Sequence, residues 1–539
     1  MAGQRTEGIS THMDRWAFWL ILLLGLAVRL WRFGALPAGL NQDEAFAGYE
    51  AWSLLHYGRD SAGYAWPVYL TAWGSGMNAL ETYLMLPFLA LFGRQVWVIR
   101  LPQLIVGCLS MPALYGTVRR CADRGTARWA MLLLAICPWH ILLSRWALES
   151  NLAPGMLLFG MYFFLRGLED SRYLIASALF YGLALYAYAT IWTILPFVLL
   201  AQGLYCFRCG RLKPDRYLLD GLFLLFLLAL PLLLFLAVNL GWMEEIRTPF
   251  LSIPKLLVQR SGEISLRHIP ENLRNLFTIL GTQSDGLPWN SAGSVQGAER
   301  IRAGLGDVLR FGGLYGLFYI LTPPFILLGL LRCVLQLRRG ERGFKPAALL
   351  LIWLLAGLVL GALVHVNINR ANILFPPLLI LAAVGLRWFG SLFRGRLTVL
   401  LLAGYLCLFG GFCGFYYFNT DSGYQVQMRY AFGEGLDRAL DAAMEQEGTV
   451  VLDRHIYYST VLFDTGTPVE DFRSTVTYER YPAAYLSPTG FTRFRFGYEG
   501  GVPEEGNACY ILSPWTDGSV LKAAGFHGEE YGIYTLWTR

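Results

Sequence analysis

Charged side chains are scarce. Only 15% of the 539 residues are Asp, Glu, Lys or Arg, against 55% hydrophobic. Soluble domains are nearer a quarter charged, so the deficit argues for lipid contact. Cysteine gives no disulfide framework, because only Cys509 of the nine lies beyond residue 418. Cys108, Cys137, Cys407 and Cys413 sit inside apolar runs and read as small buried hydrophobes. Cys206 and Cys209 form a lone CxxC with no second pair to complete a zinc site. The sequence also lacks a Gly-rich phosphate loop after a strand, internal repeats and low-complexity segments. No small-residue cleavage site follows the apolar run from Trp16 to Phe33, so the N-terminus reads as a retained span.

What is abundant is apolar sequence of bilayer length. A helix needs roughly 20 apolar residues to cross ~30 Å of hydrocarbon. Eleven spans are expected, at 16–34, 98–118, 129–144, 151–167, 173–190, 191–207, 217–240, 313–333, 347–364, 371–387 and 397–418. The net charge of +6 is no nucleic-acid signal, because the basic residues cluster between spans. Arg119, Arg120, Arg124 and Arg128 form one group, and Arg208, Arg211, Lys213 and Arg216 another. Further groups follow the eighth span (Arg332, Arg338, Arg339, Arg342, Lys345) and the tenth (Arg387, Arg394, Arg396). All fall on one side if the N-terminus is cytoplasmic, as the positive-inside rule requires. Two long outer loops (about 35–97 and 241–312) and the region from 419 then face out.

Residues 79–93 are apolar but reach only ~22 Å at ~1.5 Å per residue. If they spanned, every later basic cluster would land outside, so they are expected to lie along the outer surface. Residues 419–539 read as a small α/β domain. A helix is expected over 433–448, with strands at 449–453, 509–513 and 531–537. Asp453 and His455 at the first strand's end read as turn capping.

Three outer turns carry polar groups. Asp43 and Glu44 are adjacent carboxylates opening a helix, either as caps complementing the dipole or as a site. Residues 138–151 bring Arg145, Glu149 and Asn151 to the same face, where an Arg–Glu pair one turn apart is the structural alternative. Residues 365–377 place His365, Asn367, Asn369, Arg370 and Asn372 in one turn. Arg145 and Arg370 are the only basic residues in the short outer turns, and such exceptions are functional candidates. Aromatics near this surface (Trp66, Trp73, Tyr186, Tyr188, Trp192) suit either an interfacial belt or sugar stacking. The stretch 272–290, ending in Asp285 and Trp289, either covers the site or lies on lipid.

The motifs LNQDEAF, GYEAWSLL, WPVYL, ETYLMLPFLALFG, VIRLPQLIVG, PWHILLSRWALESNLA and NRANILFPPL resemble the C-type polytopic glycosyltransferases. Within them the chain is similar to bacterial relatives of the protein O-mannosyltransferases and aminoarabinose transferases, over about 15–418. The resemblance implies transfer of a sugar from a polyprenyl-phosphate donor to an acceptor protein, lipid or cell-wall glycan at the outer face of the cell membrane. It implies that the acidic residue Asp43 is catalytic, as the base for the acceptor hydroxyl, with Glu44 orienting it or helping to bind the acceptor. Glu149 stands where such families often have Asp in a slightly different register. Arg370 and Arg145 can supply donors to the leaving phosphate. Glu149, Asn151, His365 and Asn369 are supporting residues, and a divalent cation between Asp43 and Glu149 would have two oxygen ligands but no dedicated cage. A polytopic transporter or lipid flippase is the alternative, but intramembrane charges and inverted repeats are missing.

Overall fold

The computed structural model describes residues 2–258, 266–282, 315–338, 343–393, 396–420, 423–501 and 506–539. Each of the eleven predicted apolar runs corresponds to a helix or to a helix pair. They are Ala2–Leu30, Leu101–Cys121, Arg124–Ile136 with Pro138–Leu143, Glu149–Gly167, Tyr173–Ala187, Thr190–Arg208, Arg216–Asn239, Thr322–Arg338, Ala347–Leu363, Phe375–Leu392 and Arg396–Cys413. Among the described residues, five helices are long and apolar enough to cross a membrane. Helix Arg216–Asn239 exposes Leu219, Phe223 and Phe226, and helix Arg396–Cys413 exposes Val399 and Leu400. Continuous apolar faces of this kind suit hydrocarbon rather than water.

Helices Thr322–Arg338 and Phe375–Leu392 approach closely because glycine allows it. A Cβ on Gly329 would lie 1.9 Å from the Leu381 carbonyl oxygen, and one on Gly385 2.0 Å from that of Phe325. Small residues at such crossings bring backbones together where hydrophobic attraction between helices is weak.

The segment expected along the surface forms helix Leu80–Phe92, which buries Glu81, Met85 and Leu89 at four-residue spacing. This face packs on helix Gln42–Tyr57. Backbone bonds from Val68 to the Ser252 oxygen (3.0 Å) and from Ser252 to the Trp66 oxygen (3.3 Å) join the two long loops. Helix Ile269–Thr282 buries Leu276 and Ile279, and its Asn272 donates to the Ala362 carbonyl at 3.1 Å. It therefore lies over the end of helix Ala347–Leu363. Asp285 and Trp289 lie outside the described residues, as do Arg339, Arg342 and Arg394.

The C-terminal region is the expected α/β unit, with a seven-stranded mixed sheet. Its strands are β1 (Thr449–Asp453), β2 (Thr477–Tyr478), β3 (Pro488–Phe491), β4 (Phe494–Tyr498), β5 (Ala508–Leu512), β6 (His527–Tyr531) and β7 (Tyr534–Thr538). The order is β6-β7-β5-β1-β4-β3-β2, with β1 parallel to both its neighbours and the other pairs antiparallel. The expected helix is shorter, Leu436–Met444, because Gly435 at φ +92° starts it late. Asp453 is fully buried and accepts from the backbone N–H groups of Ser513 (2.6 Å) and His455 (2.8 Å), which is turn capping. One hydrophobic core runs through both this unit and the first outer loop: Phe46, Met85 and Ile99 pack with Leu462, Phe463 and Phe491.

Candidate active site

The first of the three polar turns, expected on the outer face, is built around Asn41. Its side chain accepts from the Asp43 N–H at 3.0 Å, and its own N–H donates to Glu44 at 3.2 Å, a reciprocal cap opening helix Gln42–Tyr57. The two adjacent carboxylates then part. Asp43 is half-buried, whereas Glu44 is wholly enclosed. Both Glu44 oxygens accept from the Arg100 guanidinium, from Nε and Nη2 at 2.9 Å each. Oε1 also accepts the Ala147 N–H at 2.8 Å. Arg100, equally buried, donates on to the carbonyls of Pro37 (2.8 Å) and Gly39 (2.9 Å). Glu44 thus pins the first outer turn to the second.

The second turn is joined in two further directions. Half-buried Glu149, at the start of helix Glu149–Gly167, accepts the Asn78 backbone N–H. The Ser150 carbonyl accepts from Asn372 Nδ2 of the third turn at 2.8 Å. Asn151 is buried and donates to the Trp146 carbonyl at 3.1 Å. In the third turn Asn367 caps the Arg370 N–H at 2.9 Å, and half-buried Arg370 donates to the carbonyl of exposed His365 at 3.0 Å. Asn369 is half-buried beside it. The three stretches around 43, 149 and 370 are therefore stitched together.

Arg145 differs from its expected role. It is fully buried and donates to the carbonyls of Leu36 (3.1 Å), Val28 (3.3 Å), Arg29 (2.7 Å) and Arg32 (2.7 Å), with the Tyr416 and Tyr417 rings beside it. These oxygens close the end of helix Ala2–Leu30, so Arg145 serves as its cap rather than as an open phosphate donor. His140 likewise is buried against Arg29, with 2.7 Å between Nδ1 and Nη2.

Two contributors escaped the sequence reading. Glu81 is fully buried and accepts from Gln103 Nε2 at 2.9 Å, while Gln103 also reaches the Leu148 carbonyl. Burial raises the Glu81 carboxyl well above its usual range; the Gln103 bond opposes this and the Glu44 and Glu149 carboxylates add to it. Tyr457 comes from the C-terminal unit. Burial first, and the Asp43 carboxylate second, push its phenol up. Ser459 on the same turn donates to the Gln42 carbonyl at 2.9 Å. Next to Tyr457 stands Trp73, which stacks on Tyr485 with ring centres 5.0 Å apart. Among the other aromatics, Trp192 donates to the Leu185 carbonyl and Tyr186 to that of Leu228.

With this geometry the comparisons with known proteins can be read. A family model described as dolichyl-phosphate-mannose-protein mannosyltransferase matches residues 79–242, which include Glu81, Arg100, Arg145 and Glu149. The crystal structure of ArnT from Cupriavidus metallidurans in the apo state is similar, with a TM-score of 0.52 and 14% identity, covering 96% of this chain and 97% of that one. The same protein bound to undecaprenyl phosphate gives 0.52 and 15%, with coverage of 96% and 97%. The fold is therefore similar to that of ArnT. The oligosaccharyltransferase of Archaeoglobus fulgidus, in complex with Zn and sulfate, has a TM-score of 0.51 and 17% identity, over 84% of this chain. This chain spans 61% of that longer protein. No curated protein sequence matches significantly. The resemblance expected from the sequence motifs is borne out.

The candidate groups lie at the starts of helices Gln42–Tyr57 and Glu149–Gly167 and in the short helix Ile368–Ala371. Among the described residues, no three His, Cys, Asp or Glu side chains converge as a metal site. Glu149 also already accepts a backbone N–H. The donor set does not fit a dedicated divalent centre, and no step is assigned to one.

Proposed function

We propose that this chain is a membrane glycosyltransferase that moves a sugar from a polyprenyl-phosphate donor to an acceptor hydroxyl on the outer face of the membrane. The proposal includes eleven spans, a cytoplasmic N-terminus, and an extracytoplasmic site and C-terminal unit. The observation that carries it is the stitching of three distant outer turns through Glu44 to Ala147 and Asn372 to Ser150. That arrangement leaves half-buried Asp43 on the first turn of its helix, next to Gln42, whose carbonyl accepts from Ser459 of the C-terminal unit. ArnT bound to undecaprenyl phosphate supports a lipid phosphate donor, and the basic clusters support the orientation.

Asp43 is the general base. It takes the proton of the acceptor hydroxyl as that oxygen bonds to the anomeric carbon. The bond from the anomeric carbon to the phosphate oxygen breaks, and its electron pair leaves with the polyprenyl phosphate. Arg370 stabilises the charge that develops there; its guanidinium is anchored at one nitrogen on the His365 carbonyl. Glu44 is a positioning residue, since its oxygens are enclosed by Arg100 and Ala147. Glu149, Asn151, His365 and Asn369 shape the second and third turns.

The test is transfer from a panel of labelled polyprenyl-phosphate sugars into membrane extract by purified protein. Asp43→Asn should abolish transfer while leaving thermal stability unchanged. Normal turnover by that variant would remove the base.

A further inference from the structure

A cavity of about 410 Å³ lies at the opposite ends of the helices that carry the candidate active site. Helix Ala347–Leu363 starts at this cavity and ends just before the third outer turn, and helix Phe375–Leu392 runs back. From Phe375 to Trp388 the rise at 1.5 Å per residue is roughly 20 Å, so the two places are separate.

The cavity has three chemical zones. Its depth is apolar, with Met161, Leu349, Ile380 and Val384. Among its polar side chains, Thr117 and Trp353 are each 3% exposed, and Thr117 Oγ1 and Trp353 Nε1 have no hydrogen-bond partner among the described residues. Its rim carries Arg332 and Arg387. The Arg332 guanidinium lies 5.5 Å from the centre of the Trp388 ring, while Arg387 Nε is 3.3 Å from Asp123, a carboxylate also on the rim.

A buried donor without an acceptor bears the full desolvation penalty, and native structures rarely leave such groups unmet. A molecule that completes this cavity must bring hydrogen-bond acceptors to the Trp353 indole and the Thr117 hydroxyl. It must bring negative charge to two arginines, only one of which is paired with Asp123, and an apolar body for the depth. We infer that the cavity binds one anionic phospholipid of the bilayer. Its phosphate lies at Arg332 and Arg387, an ester carbonyl accepts from Trp353 Nε1 and Thr117, and an acyl chain fills the apolar depth. A polyprenyl phosphate has no ester carbonyl to meet the two buried donors, and free phosphate has no apolar body. The inference is independent of the transfer reaction, because it uses none of the outer-turn residues.

Native mass spectrometry of the purified full-length protein tests this, with phosphatidylglycerol, phosphatidylethanolamine and a synthetic polyprenyl phosphate titrated in turn. One phosphatidylglycerol should be retained at least tenfold more tightly than phosphatidylethanolamine. Arg332→Gln, which removes a rim charge, and Ala347→Phe, which fills the cavity, should each weaken retention about tenfold. Trp353→Phe removes only the indole donor and should weaken it severalfold, so it serves if a rim variant fails to fold. Equal retention of the two phospholipids overturns the inference, as does unchanged phosphatidylglycerol binding in the variants that fold. Tighter binding of polyprenyl phosphate than of phosphatidylglycerol would also overturn it, and would make the cavity a carrier site.

Discussion

Asp43 and Glu44 are neighbours in sequence, and one pair of variants separates their roles. Glu44→Gln keeps the side chain's size and one oxygen for the Ala147 N–H, but removes the charge facing Arg100. The Arg100 and Glu44 side chains are both fully buried, with their ion pair at 2.9 Å. After the change, Arg100 keeps only the carbonyls of Pro37 and Gly39 as full acceptors. Breaking a buried pair by removing one partner typically costs about 3–5 kcal/mol, because the remaining charge is uncompensated. Glu44→Gln should therefore lower the thermal midpoint in detergent by several degrees and make residues 36–44 more open to proteolysis. Turnover should fall in step with that loosening.

A second variant isolates the charge term. Arg100→Met in the Glu44→Gln background removes the stranded cation, so the double variant should be less destabilised than the two single effects added together. The coupling should be on the order of 1–3 kcal/mol, as for residues in direct contact. Additive effects, or a Glu44→Gln protein of wild-type stability, would refute the positioning role. If Glu44→Gln were stable but inactive while Asp43→Asn stayed active, the two carboxylates would exchange roles.

Other outcomes follow from the same geometry. Arg370→Ala should raise the KM for the lipid-linked donor more than it lowers kcat, and unchanged donor kinetics would reassign that residue. Tyr457→Phe should lower transfer at limiting acceptor while leaving the thermal midpoint in place. Cutting the chain at 419 should destabilise what remains, measured by size-exclusion profile, because Phe46, Met85 and Ile99 would lose the partners of their shared core. A pH effect is expected from Glu50 and Asp60, both 1% exposed in the first outer loop. Burial first and Asp60 second push the Glu50 carboxyl up to about 8, although bonds from Ser61 oppose this. Burial also pushes Asp60 up to about 7, against bonds from Tyr64 and its neighbours and the Arg473 charge. Both are raised, so unfolding releases protons between about pH 4 and 8 and stability falls as pH rises through that window. Glu50→Gln should flatten the thermal midpoint across it; an unchanged slope would count against the buried pair.

The helices were legible because bilayer-length apolar runs leave little choice of secondary structure. Strand β1 was legible because TVVLD is a short β-branched run bounded by Gly448 and a turn. The polar turns themselves were legible, since charged and amide residues stand out between apolar runs. Side-chain direction was not. An arginine in an outer turn reads the same whether it meets a lipid phosphate or the carbonyls at a helix end, and for Arg145 those carbonyls come from more than a hundred residues away. Glu81 was hidden inside an apolar stretch whose short length and place in the topology explained it as a surface helix. Tyr457 lies in a region where the family resemblance fades, and its contact with Trp73 depends on a core shared across hundreds of residues.

The same contrast explains why adjacent carboxylates can divide their labour. Successive positions on the first turn of a helix point about 100° apart, so one can face inward and the other toward the surface. Glu44 meets Arg100 and Ala147, and its charge is fixed by structure. Asp43 is only half-buried, and in the proposed reaction it exchanges a proton with an incoming hydroxyl. A buried, doubly paired carboxylate is a poor base because taking up a proton would strand its cation. The division of roles rests on which carboxylate Arg100 neutralises, and moving that arginine's charge should move the chemistry with it.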